Sequence, residues 1–128
     1  MQTTPKEFLI SYVEKFNGGD IGSLISTYEL DACFVSQEGE IVKGLENIRQ
    51  TLHGFISMKG KLESKVIGVI QSGDIALVNS EWSFNGTGPE GKTVSITGKA
   101  TDVLRQQSDG NWRILIDNPW GTSLHIRS

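Results

Sequence analysis

Phe8, Leu9, Tyr12, Val13 and Phe16 recur at helical spacing, and this pattern predicts a first helix with one apolar face. Thr4 can cap it, Pro5 suits its first position, and Glu7 completes a capping box. Asn17-Gly18-Gly19 ends it, because Asn and Gly tolerate the left-handed backbone used there. Asp20 can cap a second, shorter helix through Leu24, Ile25 and Tyr28. Residues 32–36 then read as a short strand, 37–40 as a hairpin turn, and 41–43 as the return strand. After Gly44, a third helix places Leu45, Ile48, Leu52, Phe55 and Ile56 on its buried side and ends at Gly60. Four long strands follow over 62–71, 75–85, 94–107 and 112–118, separated by turns at 72–74, 86–91 and 108–110.

Helices in the first half and an antiparallel meander in the second predict a single α+β domain over residues 1–128, with a core of about 4–121. A long twisted sheet can curl around a helix layer and leave a pocket between them. Its outer face, rich in Val, Ile, Leu and Trp, still needs a cover, and a homodimer through that face is the expected solution.

One strand carries the chemistry. In Thr-Val-Ser-Ile-Thr-Gly-Lys-Ala-Thr-Asp-Val-Leu-Arg, strict alternation puts Val94, Ile96, Gly98, Ala100, Asp102 and Leu104 on one face. Every member of that face is apolar or small except Asp102. A carboxylate directed where hydrophobic side chains point gains hydrogen bonds or stays protonated, and functional sites often hold such a group. The plainer reading is a strand-end Asp that is partly exposed or paired with Lys or Arg.

Composition removes several classes. The net charge is −3 and there is no Lys/Arg run, which argues against nucleic acid. No apolar run is long enough to cross a bilayer, and the first residues do not resemble a secretion signal. The single cysteine, Cys33, excludes an internal disulfide framework and fits a reducing, cytoplasmic compartment. His53 and His125 lack ligand spacing, so no metal site is expected. Gly86-x-Gly88 reads as a turn and not a dinucleotide fingerprint, so no cofactor is expected.

The order of elements, Tyr12-Val-Glu-Lys-Phe-Asn-Gly-Gly-Asp20, Gly44-Leu-Glu-Asn-Ile-Arg49 and Asp109-Gly-Asn-Trp-Arg113 together resemble the nuclear transport factor 2-like superfamily, over about residues 4–121. Within it the chain is similar to SnoaL-like and ketosteroid-isomerase-like proteins. The resemblance implies a cone-shaped fold with three N-terminal helices packed in a strongly curved antiparallel sheet. It also implies roles. Tyr12 and Asp102 match the tyrosine and the protonated aspartic acid with which ketosteroid isomerases stabilise an enolate oxygen. The place of the general base holds Ser36, which cannot shuttle a proton at neutral pH without activation, so an authentic steroid isomerase is not expected. SnoaL-like cyclases resemble the end Ile114-Leu-Ile-Asp117-Asn118-Pro119-Trp120 in carrying an acid/base Asp on the final strand, which nominates Asp117.

The direction of Asp117 is open at this level. If Trp112, Ile114 and Ile116 face the helices, Asn118 shares their face and Asp117 points away. A pocket on the other face, or a bulge introduced by Pro119, turns Asp117 inward. Phe16, Tyr28, Ser36, Leu52, Phe55, Trp82, Asn118 and Trp120 are the candidate ligand contacts, each otherwise ordinary core or a strand-end residue. Glu81 is explained by cross-strand pairing with Lys99, Cys33 by packing, and His53 faces solvent. Two functions follow from these residues. One is an isomerase, cyclase or dehydratase acting through an enolate on an apolar small molecule, with Tyr12, Asp102 and Asp117 as its catalytic groups. The other is a non-catalytic ligand-binding or dimerisation module.

Overall fold

The computed structural model describes residues 4–126. Helix α1 spans Pro5–Gly18, α2 spans Ile21–Ile25, and α3 spans Leu45–Ile56. The strands are β1 (Tyr28–Val35), β2 (Ile41–Lys43), β3 (Lys61–Ser72), β4 (Ile75–Thr87), β5 (Thr93–Gln106) and β6 (Trp112–Asn118). They form one six-stranded sheet in the order β2-β1-β6-β5-β4-β3. A short 3-10 turn, Pro89–Gly91, lies between β4 and β5.

The predicted helix signals act where they stand. The Thr4 hydroxyl accepts from the Glu7 N–H at 3.1 Å, and Gly19 closes α1 at φ +74°. Asp20 accepts from the Ser23 N–H at 3.1 Å and its hydroxyl at 2.8 Å. These bonds hold its carboxyl below the usual carboxylate range. Asn17 does more than end a helix. Its side chain donates to the Leu62 carbonyl at 2.9 Å and accepts from the Leu62 N–H at 2.8 Å, tying the end of α1 to the start of β3.

Three expectations are corrected. Tyr28 belongs to no helix: α2 stops at Ile25, and Tyr28 opens β1, which is eight residues long. The sheet is mixed and not wholly antiparallel, because β1 runs parallel to β6, with Phe34 opposite Asp117 and Tyr28 opposite Ile114. The third correction is a bulge in β6. Leu104 pairs with Ile114, but Val103 pairs with Ile116, so Leu115 is the extra residue. One inserted residue exchanges the faces of everything after it. Trp112 and Ile114 therefore point into the core at 2 % and 3 % exposure, while Ile116 points out at 37 %.

The inner face of the sheet packs on the helices. Phe8, Tyr12 and Phe16 of α1 and Ile48 and Leu52 of α3 meet Ala76, Val78 and Phe84 of β4 and Leu104 of β5. Phe84, almost fully buried, receives Phe16 and Phe55 edge-on at centroid distances of 5.9 and 5.8 Å. On the outer face Glu81 stands opposite Lys99 as expected, and His53 is exposed on α3.

Candidate active site

Alternation on β5 directs Asp102 inward with Ala100 and Leu104, as its pattern predicts. Its cross-strand neighbours are Val78 on one side and Asp117 on the other. The Leu115 bulge is what brings Asp117 to the inner face, where it is 7 % exposed. Asp117 thus faces inward because of an irregularity two residues before it, and not because of Pro119. The two carboxyls are hydrogen-bonded to each other. Two carboxylates cannot share a hydrogen bond without a proton between them.

The rest of the network says which one holds it. Burial, then the neighbouring Asp117 charge, push Asp102 well above the carboxylate range, with the Asn118 N–H at 2.9 Å opposing. Burial also raises Asp117, but hydrogen bonds from Tyr28 and Asp102 pull it back. Asp102 is the acid and Asp117 the carboxylate. The Tyr28 hydroxyl donates to Asp117 Oδ2 at 2.5 Å, and Tyr12 and Tyr28 hydroxyls are 2.7 Å apart. Tyr28 has one proton and gives it to Asp117, so Tyr12 donates to Tyr28. The chain runs Tyr12 to Tyr28 to Asp117, with Asp102 donating from the opposite side. Burial first, then the Asp117 charge, raise both phenols well above their ordinary range, so both stay protonated.

This network forms one wall of a cavity of about 220 Å³. Phe8, Phe16, Phe34, Phe55, Trp82 and Trp120 supply its aromatic surface, and the exposed Gln37 and Glu38 stand at its rim. Asp102 lines the cavity, which accounts for its residual exposure. No lysine, arginine or histidine is among the lining residues. At the far end Trp82 lies over Gly98, where a Cβ would come within 2.6 Å of the indole. Its N–H donates to the Pro119 carbonyl at 2.7 Å, and Trp120 packs on it at 5.3 Å between ring centroids. Among the described residues no group of His, Cys, Asp and Glu could hold a metal ion.

The cavity gathers most of the residues nominated from the sequence: Tyr12, Asp102 and Asp117, with Phe16, Ser36, Leu52, Phe55, Trp82 and Trp120. Two nominated contacts are not on its wall. Tyr28, 1 % exposed, stands behind it as the bridge between Tyr12 and Asp117. Asn118, turned off the wall by the bulge, donates to the Gly121 carbonyl and accepts from the Trp120 N–H. Ser36 reaches the cavity, but its hydroxyl accepts from the Glu40 N–H at 3.2 Å and serves the hairpin turn. The role of Tyr28 was not read from the sequence. Ser26-Thr27 as a stop signal, followed by a β-branched and aromatic run, was the available clue.

Residues 9–114 match the family model described as a SnoaL-like domain. The chain is a SnoaL-like domain. Solved structures extend the likeness to the nuclear transport factor 2-like fold. A ketosteroid isomerase-like protein from Erwinia carotovora atroseptica is 21 % identical, with 88 % of each chain covered and a TM-score of 0.76. A nuclear transport factor 2-like protein with a cystatin-like fold from Novosphingobium aromaticivorans is 16 % identical, covering 87 % of this chain and 75 % of its own, with a TM-score of 0.70. SalBIII, an epoxide hydrolase/cyclase-like enzyme of pyran ring formation in salinomycin, is 20 % identical over 92 % of this chain and 91 % of its own, with a TM-score of 0.69. No curated protein matches the chain significantly. At these identities the solved relatives establish the fold of this SnoaL-like domain, and its chemistry has to be argued from its own residues.

Proposed function

We propose that this SnoaL-like domain binds a largely apolar, carbonyl-bearing small molecule and moves a proton on it, as an isomerase, cyclase or dehydratase does. The observation that carries this reading is the Asp102–Asp117 pair: two carboxyls opposed across the β5–β6 ladder at the wall of an apolar cavity, both pushed up by burial. Asp117 is the base and Asp102 the acid. The Asp117 carboxylate takes a proton from the carbon next to the ligand carbonyl, the C–H pair becomes a C=C bond, and the carbonyl oxygen takes up the charge. Asp102 and Tyr12 turn their protons to that oxygen. Asp117 then returns its proton to a different atom, giving an isomer, or to a leaving hydroxyl, giving water. The negative charge of the site is the same before and after the first step, so no new charge is buried. This assignment replaces the base absent at Ser36. A fold shared with an epoxide hydrolase/cyclase-like enzyme accords with acid–base chemistry on small molecules.

The test is deuterium exchange into a panel of enolisable aryl and alicyclic ketones in D2O, followed by NMR. Catalysed exchange should fall about 10²–10⁴-fold in Asp117→Asn, the usual contribution of a general base. Exchange no faster than buffer across the panel, or unaffected by Asp117→Asn, would refute the reading.

One observation favours a second reading, a ligand-binding module without chemistry. In the unliganded network every proton has a protein acceptor: Tyr12 gives to Tyr28, and Tyr28 and Asp102 give to Asp117. A ligand that binds without displacing these bonds would be held and not converted. Ligand binding with no exchange would select it.

The outer face supports a homodimer in either case. Ile70, Leu77, Val103 and Ile116 stand in register across β3, β4, β5 and β6 and make an apolar row. Ile70 is 67 % exposed in the single chain, and a second copy through this face would cover it.

A further inference from the structure

Alternation along β4 turns Ala76, Val78, Ser80, Trp82 and Phe84 to the inner face, and Ser80 is the one hydroxyl in that row. Ser80 is 3 % exposed and lines the cavity. A buried serine ordinarily bonds a nearby backbone group, because an unpaired hydroxyl in an apolar setting costs free energy. Ser80 makes no side-chain hydrogen bond to another described residue. Among the described residues, the side-chain polar atoms that lack such a bond and are also sealed off are Arg105 Nε and Trp120 Nε1. The Ser80 hydroxyl is unbonded and not sealed: it opens on the cavity. The other three aliphatic hydroxyls of the lining are placed differently. Thr51 donates to the Asn47 carbonyl at 3.1 Å, Ser36 accepts from the Glu40 N–H, and Ser64 is half-buried on the edge strand β3. Ser80 stands opposite Ala100, whose small side chain leaves the hydroxyl uncovered, and Asp102 stands opposite Val78. Ser80 and Asp102 are therefore diagonal neighbours on one face, about 7 Å apart between Cβ atoms.

We infer that Ser80 is a specificity-determining residue whose hydroxyl bonds a second oxygen of the ligand, so that the ligand is an oxygenated ketone: one carbonyl meets Asp102, and a hydroxyl or further carbonyl a few bonds away meets Ser80. The inference rests on the cavity being the ligand site proposed above. A serine hydroxyl both donates and accepts, so it can take either kind of oxygen. Its placement on a sheet strand, one diagonal step from Asp102, fixes the spacing of the two polar points, and that spacing orients the ligand carbonyl against the acid pair. A ketone without the second oxygen would leave the hydroxyl unpaired under an apolar surface, which is the basis for rejecting it.

The experiment measures matched probes by calorimetry: the meta and para hydroxyacetophenones, each against the methylacetophenone that carries a methyl in place of the hydroxyl. The parent should prefer at least one hydroxyl probe over its methyl counterpart by about three- to tenfold, the worth of one hydrogen bond. Ser80→Ala should abolish that preference and bind the methyl probe as tightly as the parent or more tightly, opposite signs that a distorted cavity would not give. Ser80→Cys, which keeps the shape of the side chain but offers only a weak donor, should also lose the preference. Neither variant should melt below the parent when unliganded, because the hydroxyl serves no bond in the fold. A preference that survives both substitutions, an equal loss of both probes in both variants, or a parent that binds no probe or shows no preference would overturn the proposal. Loss of the preference in Asp102→Leu but not in Ser80→Ala would also overturn it, while leaving the acid–base reading intact. A Ser80-dependent preference without deuterium exchange into the probes would uphold the inference and refute the acid–base reading.

Discussion

Asp102 and Asp117 face each other across the β5–β6 ladder, and their side chains are hydrogen-bonded. Each reaches the inner face by a different device: regular alternation for Asp102, the Leu115 bulge for Asp117. Like charges directly opposite in a sheet are destabilising. The pair is tolerable because one member keeps its proton and the other collects donors.

Stability should therefore fall as pH rises. Both carboxyls are raised in the folded protein, Asp102 the more. Between the ordinary carboxylate value of the unfolded chain and the raised folded value, the native state binds more protons than the unfolded state, so unfolding free energy declines with pH. The contribution is intact below the unfolded value and lost as pH passes the folded one. Asp102→Asn mimics the protonated acid: its amide can donate to Asp117 and its oxygen can accept from the Asn118 N–H. Melting temperature followed from pH 4 to 9 should slope downward in the parent and be flatter in Asp102→Asn, with the variant the more stable at the alkaline end.

Tyr28→Phe removes the donor to Asp117 and the acceptor of Tyr12 in one step. It leaves two buried polar groups short of a partner and should cost about 1–3 kcal/mol for each group left unsatisfied, read by urea denaturation. The Asp117 carboxylate, short of a donor, should gain proton affinity. The alkaline shift of any exchange profile would distinguish this from simple loss of packing.

Gly98→Ala tests the support of the far wall. The new Cβ would come within 2.6 Å of the Trp82 ring, and that ring cannot swing freely while its N–H is held by Pro119. Overpacking of this kind costs about 1–3 kcal/mol. The substitution should also change tryptophan fluorescence, because Trp82 and Trp120 move together. Unchanged emission with unchanged stability would show that Trp82 does not rest on Gly98.

Ile116→Glu places a charge at the β6 end of the apolar row on the outer face. Sedimentation should show a dimer for the parent and a monomer for the variant, with the ligand cavity on the opposite face unaffected. A monomeric parent would remove the dimer from the account.

How much of this was legible in the sequence depends on range. Helix α1, its Thr4 cap and the inward turn of Asp102 were readable because each is fixed by residues within one or two turns or by a strict period of two. The direction of Asp117 was not. Residues 112–118 carry no local mark of a bulge, and the extra residue arises because β6 must fit β5 on one side and the parallel β1 on the other. Tyr28 was misplaced for a related reason: the continuous spacing from Leu24 hid the helix end at Ile25, and its strand partner is more than eighty residues away at Ile114.

The central claim is that one proton is held between Asp102 and Asp117. Carbon-13 NMR of aspartate-labelled protein reads it directly, with Asp102→Asn and Asp117→Asn assigning the two side-chain carboxyls. The account predicts that at neutral pH one resonance, lost in Asp102→Asn, keeps the shift of a protonated acid, and that Asp117→Asn lowers the pH at which Asp102 ionises. Two carboxyls that both titrate in the ordinary range, indifferent to each other's replacement, would contradict it.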